Sequence, residues 1–126
     1  MAKEFVVKRC KSCGATVKVF EDCNCGDCGI VCCGEQMEIV TPNSIDAAAE
    51  KHVPICMVEN GRIIARVPHV MEEDHYIEWI ALVGDNFEKI EYFKPGDEPV
   101  VHCRYSSGIR VYAWCNKHLL WYKDVE

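Results

Sequence analysis

From Val53 onward, short apolar or alternating runs are separated by turn signals: "VPICMV", "ENGR", "IIARV", "HYIEWIALV", "GDN", "FEKIEYF", "KPGDEP", "VVHCRY", "SSG", "IRVYAWC" and "LLWYK". Runs of this length, rich in β-branched and aromatic residues and bounded by Gly, Pro, Asn and Asp, predict strands rather than helices. About seven strands follow at this spacing, and Asn60-Gly61 marks a tight hairpin. The pattern predicts an antiparallel sandwich of immunoglobulin-like architecture.

The amino-terminal third reads differently. Seven of the ten cysteines (Cys10, Cys13, Cys23, Cys25, Cys28, Cys32 and Cys33) lie in the first 33 residues, where few large apolar side chains are available for a core. A metal is expected to hold that segment together. Between the two parts lies "VTPNSIDAAAEKHVP", with a break at Pro42 and Asn43, Ser44 as a helix N-cap and a short alanine-rich turn. The fold class is therefore all-β: a metal-bound module over residues 1–38, then a β-sandwich over 39–126 whose first residues, 39–51, are a linker.

Composition narrows the function. At 126 residues and 49% hydrophobic content the chain is expected to fold rather than remain disordered. A net charge of -6 and a pI near 5.4 argue against a nucleic-acid surface. No run approaches the roughly 18 apolar residues of a membrane span. The start, "MAKEFVVKRCKSCG", lacks the apolar core of a secretory signal, so a cytoplasmic location is expected. In a reducing compartment, closely spaced cysteines read as metal thiolates rather than disulfides.

In "CKSCG", Cys10 and Cys13 stand two residues apart with Gly14 following, a spacing at which both sulfurs reach one tetrahedral ion. The remaining two ligands are open: "CGDCG" offers Cys25 and Cys28, and "CCG" offers Cys32 and Cys33. Four cysteines suit zinc or a single iron, and ligand type does not separate the two.

The second part carries its own set. His52 in "EKHVP", His69 and His75 in "PHVMEEDHYIEWI", and Cys115 and His118 in "CNKH" all fall at strand ends or loops. A single histidine in such a place is usually solvated, but four beside one cysteine predict a common site. Imidazoles suit first-row divalent metals, and a single thiolate pushes electron density onto the metal, which favours redox work on oxygen species. Five protein ligands leave one octahedral position open. His102 reads as an outward-facing strand residue, Cys56 and Cys103 as small buried hydrophobes, and Glu72, Glu73 and Asp74 as a solvated loop.

Taken in order, "CKSCG", "CCGEQM", "EKHVP", "PHVMEEDHYIEWI", "KPGD" and "CNKHLLW" closely resemble desulfoferrodoxin, the two-iron family of superoxide reductases. The resemblance implies a desulforedoxin-like iron centre bound by Cys10, Cys13, Cys32 and Cys33. It implies a second iron with His52, His69, His75 and His118 equatorial and Cys115 axial. Glu50 and Lys51 match the family's mobile pair, in which the lysine attracts superoxide and the glutamate occupies the open position of the oxidised iron. The implied activity is one-electron reduction of superoxide to hydrogen peroxide, with a rubredoxin-like electron donor and a homodimeric assembly. "DCNCGDCG" departs from the family pattern, since Cys23, Cys25 and Cys28 are extra. The rival readings are a zinc-clipped binding module and a pure electron carrier.

Overall fold

The computed structural model describes residues 2–24 and 29–125. The chain divides into two compact units, Glu4–Thr41 and Pro42–Glu126, the latter joined by Met1–Lys3. In the smaller unit, β1 (Val6–Arg9) lies between β2 (Thr16–Val19) and β5 (Glu38–Ile39), both antiparallel to it. A separate hairpin pairs β3 (Val31–Cys32) with β4 (Glu35–Gln36). Among the described residues of this unit, the buried apolar ones are Phe5, Val7, Cys10 and Met37. That is too little apolar surface to stabilise a domain by burial alone. Lys8 is also buried, and its ammonium meets Asp22 Oδ1 at 2.8 Å. The lysine holds the Asp22 carboxyl below the usual carboxylate range.

The larger unit opens with a short helix, α1 (Ala49–His52), followed by seven strands. They are β6 (Ile55–Glu59), β7 (Arg62–Arg66), β8 (Ile77–Val83), β9 (Glu88–Tyr92), β10 (Val100–Arg104), β11 (Arg110–Cys115) and β12 (Leu119–Asp124). One sheet has the order β10-β7-β6 and the other β12-β11-β8-β9, every pairing antiparallel. Three strands facing four, with sheet changes between β7 and β8, β9 and β10, and β10 and β11, is the immunoglobulin-like arrangement expected from the strand pattern. Asn60 and Gly61 both take positive φ, 52° and 73°, as a two-residue type I′ hairpin requires.

Alternation along the strands builds the core. Ile63, Ala65 and Val101 from the first sheet meet Ile77, Ile80, Leu82, Val111 and Ala113 from the second. On the far side of the second sheet, Trp79 stacks on Trp114, their ring centroids 5.8 Å apart and planes 10° from parallel. At its edge the Lys3 amide donates to the Gly84 carbonyl at 2.8 Å.

Ser44, expected as a helix N-cap, does not cap α1: the helix begins after Ala48, which provides no side-chain cap. The turn residues ahead of it are docked through Asn43. Its amide donates to the Leu120 carbonyl at 2.9 Å, and its Oδ1 accepts the Tyr122 amide at 2.9 Å. Asn43 therefore satisfies backbone groups on β12 that an edge strand would otherwise present to water. At φ 59° it occupies the left-handed region, which Asn tolerates better than most residues.

Replacing Asn43 by Ala removes the side-chain bond and strains the backbone. We expect a loss of about 1–3 kcal/mol in chemical denaturation. Asn43→Gly, which tolerates the φ, is expected to recover only part of that loss.

Candidate metal centres

In the smaller unit two tight turns face one another. The Cys10 amide donates to the Ala15 carbonyl and the Gly14 amide to the Cys10 carbonyl, each at 2.9 Å, with Gly14 at φ 81°. Opposite, Cys33 and Gly34 both take positive φ, 53° and 78°, as the two central residues of the β3–β4 hairpin. The sulfurs of Cys10, Cys13, Cys32 and Cys33 all lie within 4.8 Å of one another. Cys13 Sγ is 3.6 Å from Cys32 Sγ, so the thiols touch without being bonded. The Cys13 amide, aided by that of Ser12, pulls the Cys10 thiol down to about 7. The Cys13 and Cys10 thiols push Cys32 up to about 12, and they also raise Cys33. Four such groups cannot all ionise at neutral pH without a cation among them, and their spacing fits a tetrahedral thiolate site.

The second group forms at one end of the sandwich, from four segments. His52 ends α1, His69 follows β7, His75 precedes β8, and Cys115 and His118 flank the turn between β11 and β12. The ligand atoms of His52, His75, Cys115 and His118 lie within 4.8 Å of one another. His69 completes the ring, its Nε2 3.4 Å from Cys115 Sγ and its ring centroid 4.6 Å from that of His75. His52 Nε2 stands 3.1 Å from His118 Nδ1.

Local hydrogen bonds decide which ring nitrogens face inward. His52 Nδ1 is 2.7 Å from the Ala48 carbonyl and His69 Nδ1 is 2.5 Å from the Val70 carbonyl. A carbonyl only accepts, so each Nδ1 carries the proton and each Nε2 keeps a free lone pair. Burial lowers the pKa of both His52 and His69, which favours the neutral, ligating form. Among the described residues His75 Nε2 is buried and has no hydrogen-bond partner. An orphaned buried nitrogen facing a thiol and three imidazoles is what a metal site requires before its ion is counted. The donor set, four nitrogens and one sulfur, suits a first-row metal such as iron.

The thiol is aimed by its backbone. The register between β11 and β8 shifts at Trp114/Cys115, a bulge that re-aims the side chain at the strand end. The His118 amide then donates to Cys115 Sγ at 3.4 Å. Leu119 closes the hairpin at φ 64°, a strained conformation for a bulky residue.

Of the residues expected at the sites, the structure gathers Cys10, Cys13, Cys32 and Cys33 in the smaller unit and, separately, His52, His69, His75, Cys115 and His118 in the larger. Glu50 and Lys51 stand exposed in α1 just ahead of His52, with no ion pair among the described residues. His102 is exposed on β10, away from the group. Cys56 and Cys103 are half-buried against the sandwich core, and burial raises both thiols, Cys56 to about 11. Cys23 is exposed, its amide bonded to Asp22 Oδ1 at 2.9 Å; Cys25 and Cys28 lie outside the described residues.

Two further residues escaped the sequence reading. Asn116 ties the His75 turn to the Cys115 hairpin: its Oδ1 accepts the Tyr76 amide, its Nδ2 donates to the Asp74 carbonyl, both at 3.0 Å, and its amide donates to the Tyr76 carbonyl at 3.2 Å. Trp121 stacks on His52 with centroids 4.8 Å apart and donates its indole N–H to the His118 carbonyl at 2.9 Å. The only sequence signal for either was proximity to a candidate ligand. The "EED" loop also proves to be a tight turn, closed by mutual backbone bonds between Glu72 and His75 at 3.0 and 3.2 Å.

Comparison with known proteins supplies the family. The desulfoferrodoxin family model matches residues 44–124. A desulfoferrodoxin from Syntrophotalea carbinolica is 38% identical over 126 residues, covering 96% of this chain and 97% of the relative. The chain belongs to the desulfoferrodoxin family. Another desulfoferrodoxin, from Nitratidesulfovibrio vulgaris, is 36% identical over 96% of this chain and 97% of its own. Among solved structures, the superoxide reductase from Treponema pallidum shares the fold at a TM-score of 0.71 and 23% identity, covering 97% of this chain and 100% of that one. A superoxide reductase (1Fe-SOR) from Giardia intestinalis matches at a TM-score of 0.50 and 27% identity, covering 60% of this chain and 99% of its own. The four-cysteine group, and the group of four histidines with Cys115, are consistent with the two iron sites of desulfoferrodoxin.

Asn116→Ala is expected to weaken metal binding at the histidine group by about 10–100-fold. Competition with a chromophoric chelator would measure this, with binding at the four-cysteine group as an internal control that stays unchanged.

Proposed function

We propose that the protein is a superoxide reductase, converting superoxide, one electron and two protons to hydrogen peroxide without releasing dioxygen. The observation that carries this reading is the convergence of four imidazoles and one thiol, with the His75 Nε2 buried and unpartnered. The iron ligands are His52, His69, His75, His118 and Cys115. When bound, ferrous iron supplies the electron, and the thiolate raises electron density on it. The family relationship and the names of the structural relatives support the substrate.

The chain's own side chains supply the rest. The Ala48 and Val70 carbonyls fix the His52 and His69 tautomers, and burial keeps both rings neutral. Lys51 is an exposed cation one residue from His52; in a chain of net charge -6 it offers an anionic substrate a local attraction at the mouth of the site. Its ammonium orders water there, and solvent provides the protons. Glu50, exposed beside Lys51 in α1, is the carboxylate that would ligate the iron when oxidised.

Cys10, Cys13, Cys32 and Cys33 hold a second iron that clips the amino-terminal module, read as residues 1–38 ahead of the sandwich and its linker. A rubredoxin-like protein in the cytoplasm delivers the electrons. The protein works as a homodimer, a reading supported by Phe20, Val31 and Ile39 standing 91%, 62% and 59% exposed on the small module. A monomer in small-angle scattering would refute that assembly.

Anaerobically purified protein is expected to contain two irons per chain, with a thiolate-to-ferric absorption band that appears on oxidation and disappears in Cys115→Ser. Zinc alone, with no band after ferrous reconstitution, would leave only a zinc-clipped binding module. Lys51→Ala should slow the second-order reaction with superoxide by about ten-fold at low ionic strength, with the difference shrinking as salt rises. Equal rates at low salt would remove the role given to Lys51.

A further inference from the structure

The outer face of the β10-β7-β6 sheet has a composition unlike the chain that carries it. Core packing turns Ile63, Ala65 and Val101 inward, so the alternate positions face out. The register sets them in three cross-strand rows: Ile55, Arg66 and Val100; Met57, Ile64 and His102; Glu59, Arg62 and Arg104. Ile55 and Met57 are 39% and 52% exposed, and the three arginines and His102 are exposed as well. Three arginines against one carboxylate make this face basic in a protein of net charge -6.

Arg62 and Arg104 stand directly opposite one another, a like-charge pair that disfavours the sheet. On the other sheet, Arg110 grips Asp124 and Lys89 meets Glu91. Arg62, Arg66 and Arg104 make no ion pair among the described residues. An apolar strip flanked by unpaired arginines is an interface pattern, since arginine is enriched in interfaces and its guanidinium binds carboxylates in fork geometry. The face also leads to the metal site: Ile55 follows His52 by three residues and Arg66 precedes His69 by three, about 10 Å of extended chain in each case.

We propose that this face docks an acidic electron-carrier protein, its carboxylates on Arg62, Arg66 and Arg104 and its apolar patch on Ile55 and Met57. The inference rests on the reductase reading above. In the docked pair one electron passes from the reduced carrier to the oxidised histidine-site iron; the carrier is oxidised by one unit, the iron is reduced by one, and no bond is made or proton moved.

Stopped-flow reduction of the oxidised holoprotein by reduced rubredoxin, as the acidic probe, tests the face over a range of ionic strengths. Arg62→Gln/Arg104→Gln is expected to slow the reaction by about ten-fold at low salt and to flatten its salt dependence. Glu59→Gln, which removes the one carboxylate of the face, is expected to speed it, an opposite sign that loss of folding would not produce. The reaction of the pre-reduced variants with superoxide, generated by pulse radiolysis with no carrier present, is expected to match wild type. Its absence in wild type would defeat the reductase reading itself. Carrier rates unchanged in both variants would overturn the docking face. So would a shift from dimer to monomer in sedimentation of the double variant, which would identify a second copy as the occupant.

Discussion

The constraint behind the rest of the larger unit is that four imidazoles and one thiol, from four separate segments, must meet with their lone pairs free. A neutral imidazole has one lone pair, and it points inward only if the other nitrogen gives its proton elsewhere. Carbonyls one residue after His69 and four before His52 meet that need. They are local partners, so each ring is oriented by its own stretch of chain, and the sandwich has only to bring the stretches together. It does so at its end, where strands stop and loop backbone can take unusual conformations at little cost to the ladders. The bulge at Cys115 and the left-handed Leu119 lie in the hairpin that delivers both Cys115 and His118. Strain is thus concentrated where the geometry is most demanding, and the paired strands on either side hold it in place.

The smaller unit meets the opposite problem. Its few buried apolar residues cannot offset the conformational entropy of ordering the chain. Four thiols in two facing turns supply the missing cross-link once a cation neutralises them. The buried Lys8 belongs to the same small interior; its stem lies within it and its ammonium reaches the exposed Asp22 carboxylate.

Much of this could be read from the sequence because strand alternation and ligand spacing are local properties. The seven strands of the sandwich followed from runs such as "HYIEWIALV" and "IRVYAWC", and the Asn60-Gly61 hairpin followed from a dipeptide that tolerates two positive φ values. Other features depend on tertiary closure. "CGDC" and "CCG" both satisfy the arithmetic of a thiolate site, and the choice between them needed a family resemblance. The physical clue, Cys33-Gly34 as a two-residue turn, could be recognised only once β3 and β4 were paired. Asn116 was invisible for a related reason: its partners, Asp74 and Tyr76, lie some forty residues away and bind it through backbone atoms, which leave no side-chain signature. Ser44 failed as a cap because α1 starts later in the chain, after Ala48, whose side chain has nothing to cap with.

Charge is arranged on two length scales. A diatomic anion has no shape to read, so a single ammonium near its target can guide it, and the effect fades beyond a Debye length of roughly 8–10 Å. Lys51 stands next to His52, within such a radius of the ligand rings. A protein partner presents many charges at once and responds to an extended field, which a lone lysine on a net-negative surface cannot supply. The arginine-bearing sheet face can, and it lies on strands whose ends run into His52 and His69. Lys51 and the three arginines belong to different elements, the first to α1 and the others to β7 and β10. The difference in place follows from topology: α1 precedes the first strand of the sandwich, whereas β6, β7 and β10 make up one of its two sheets.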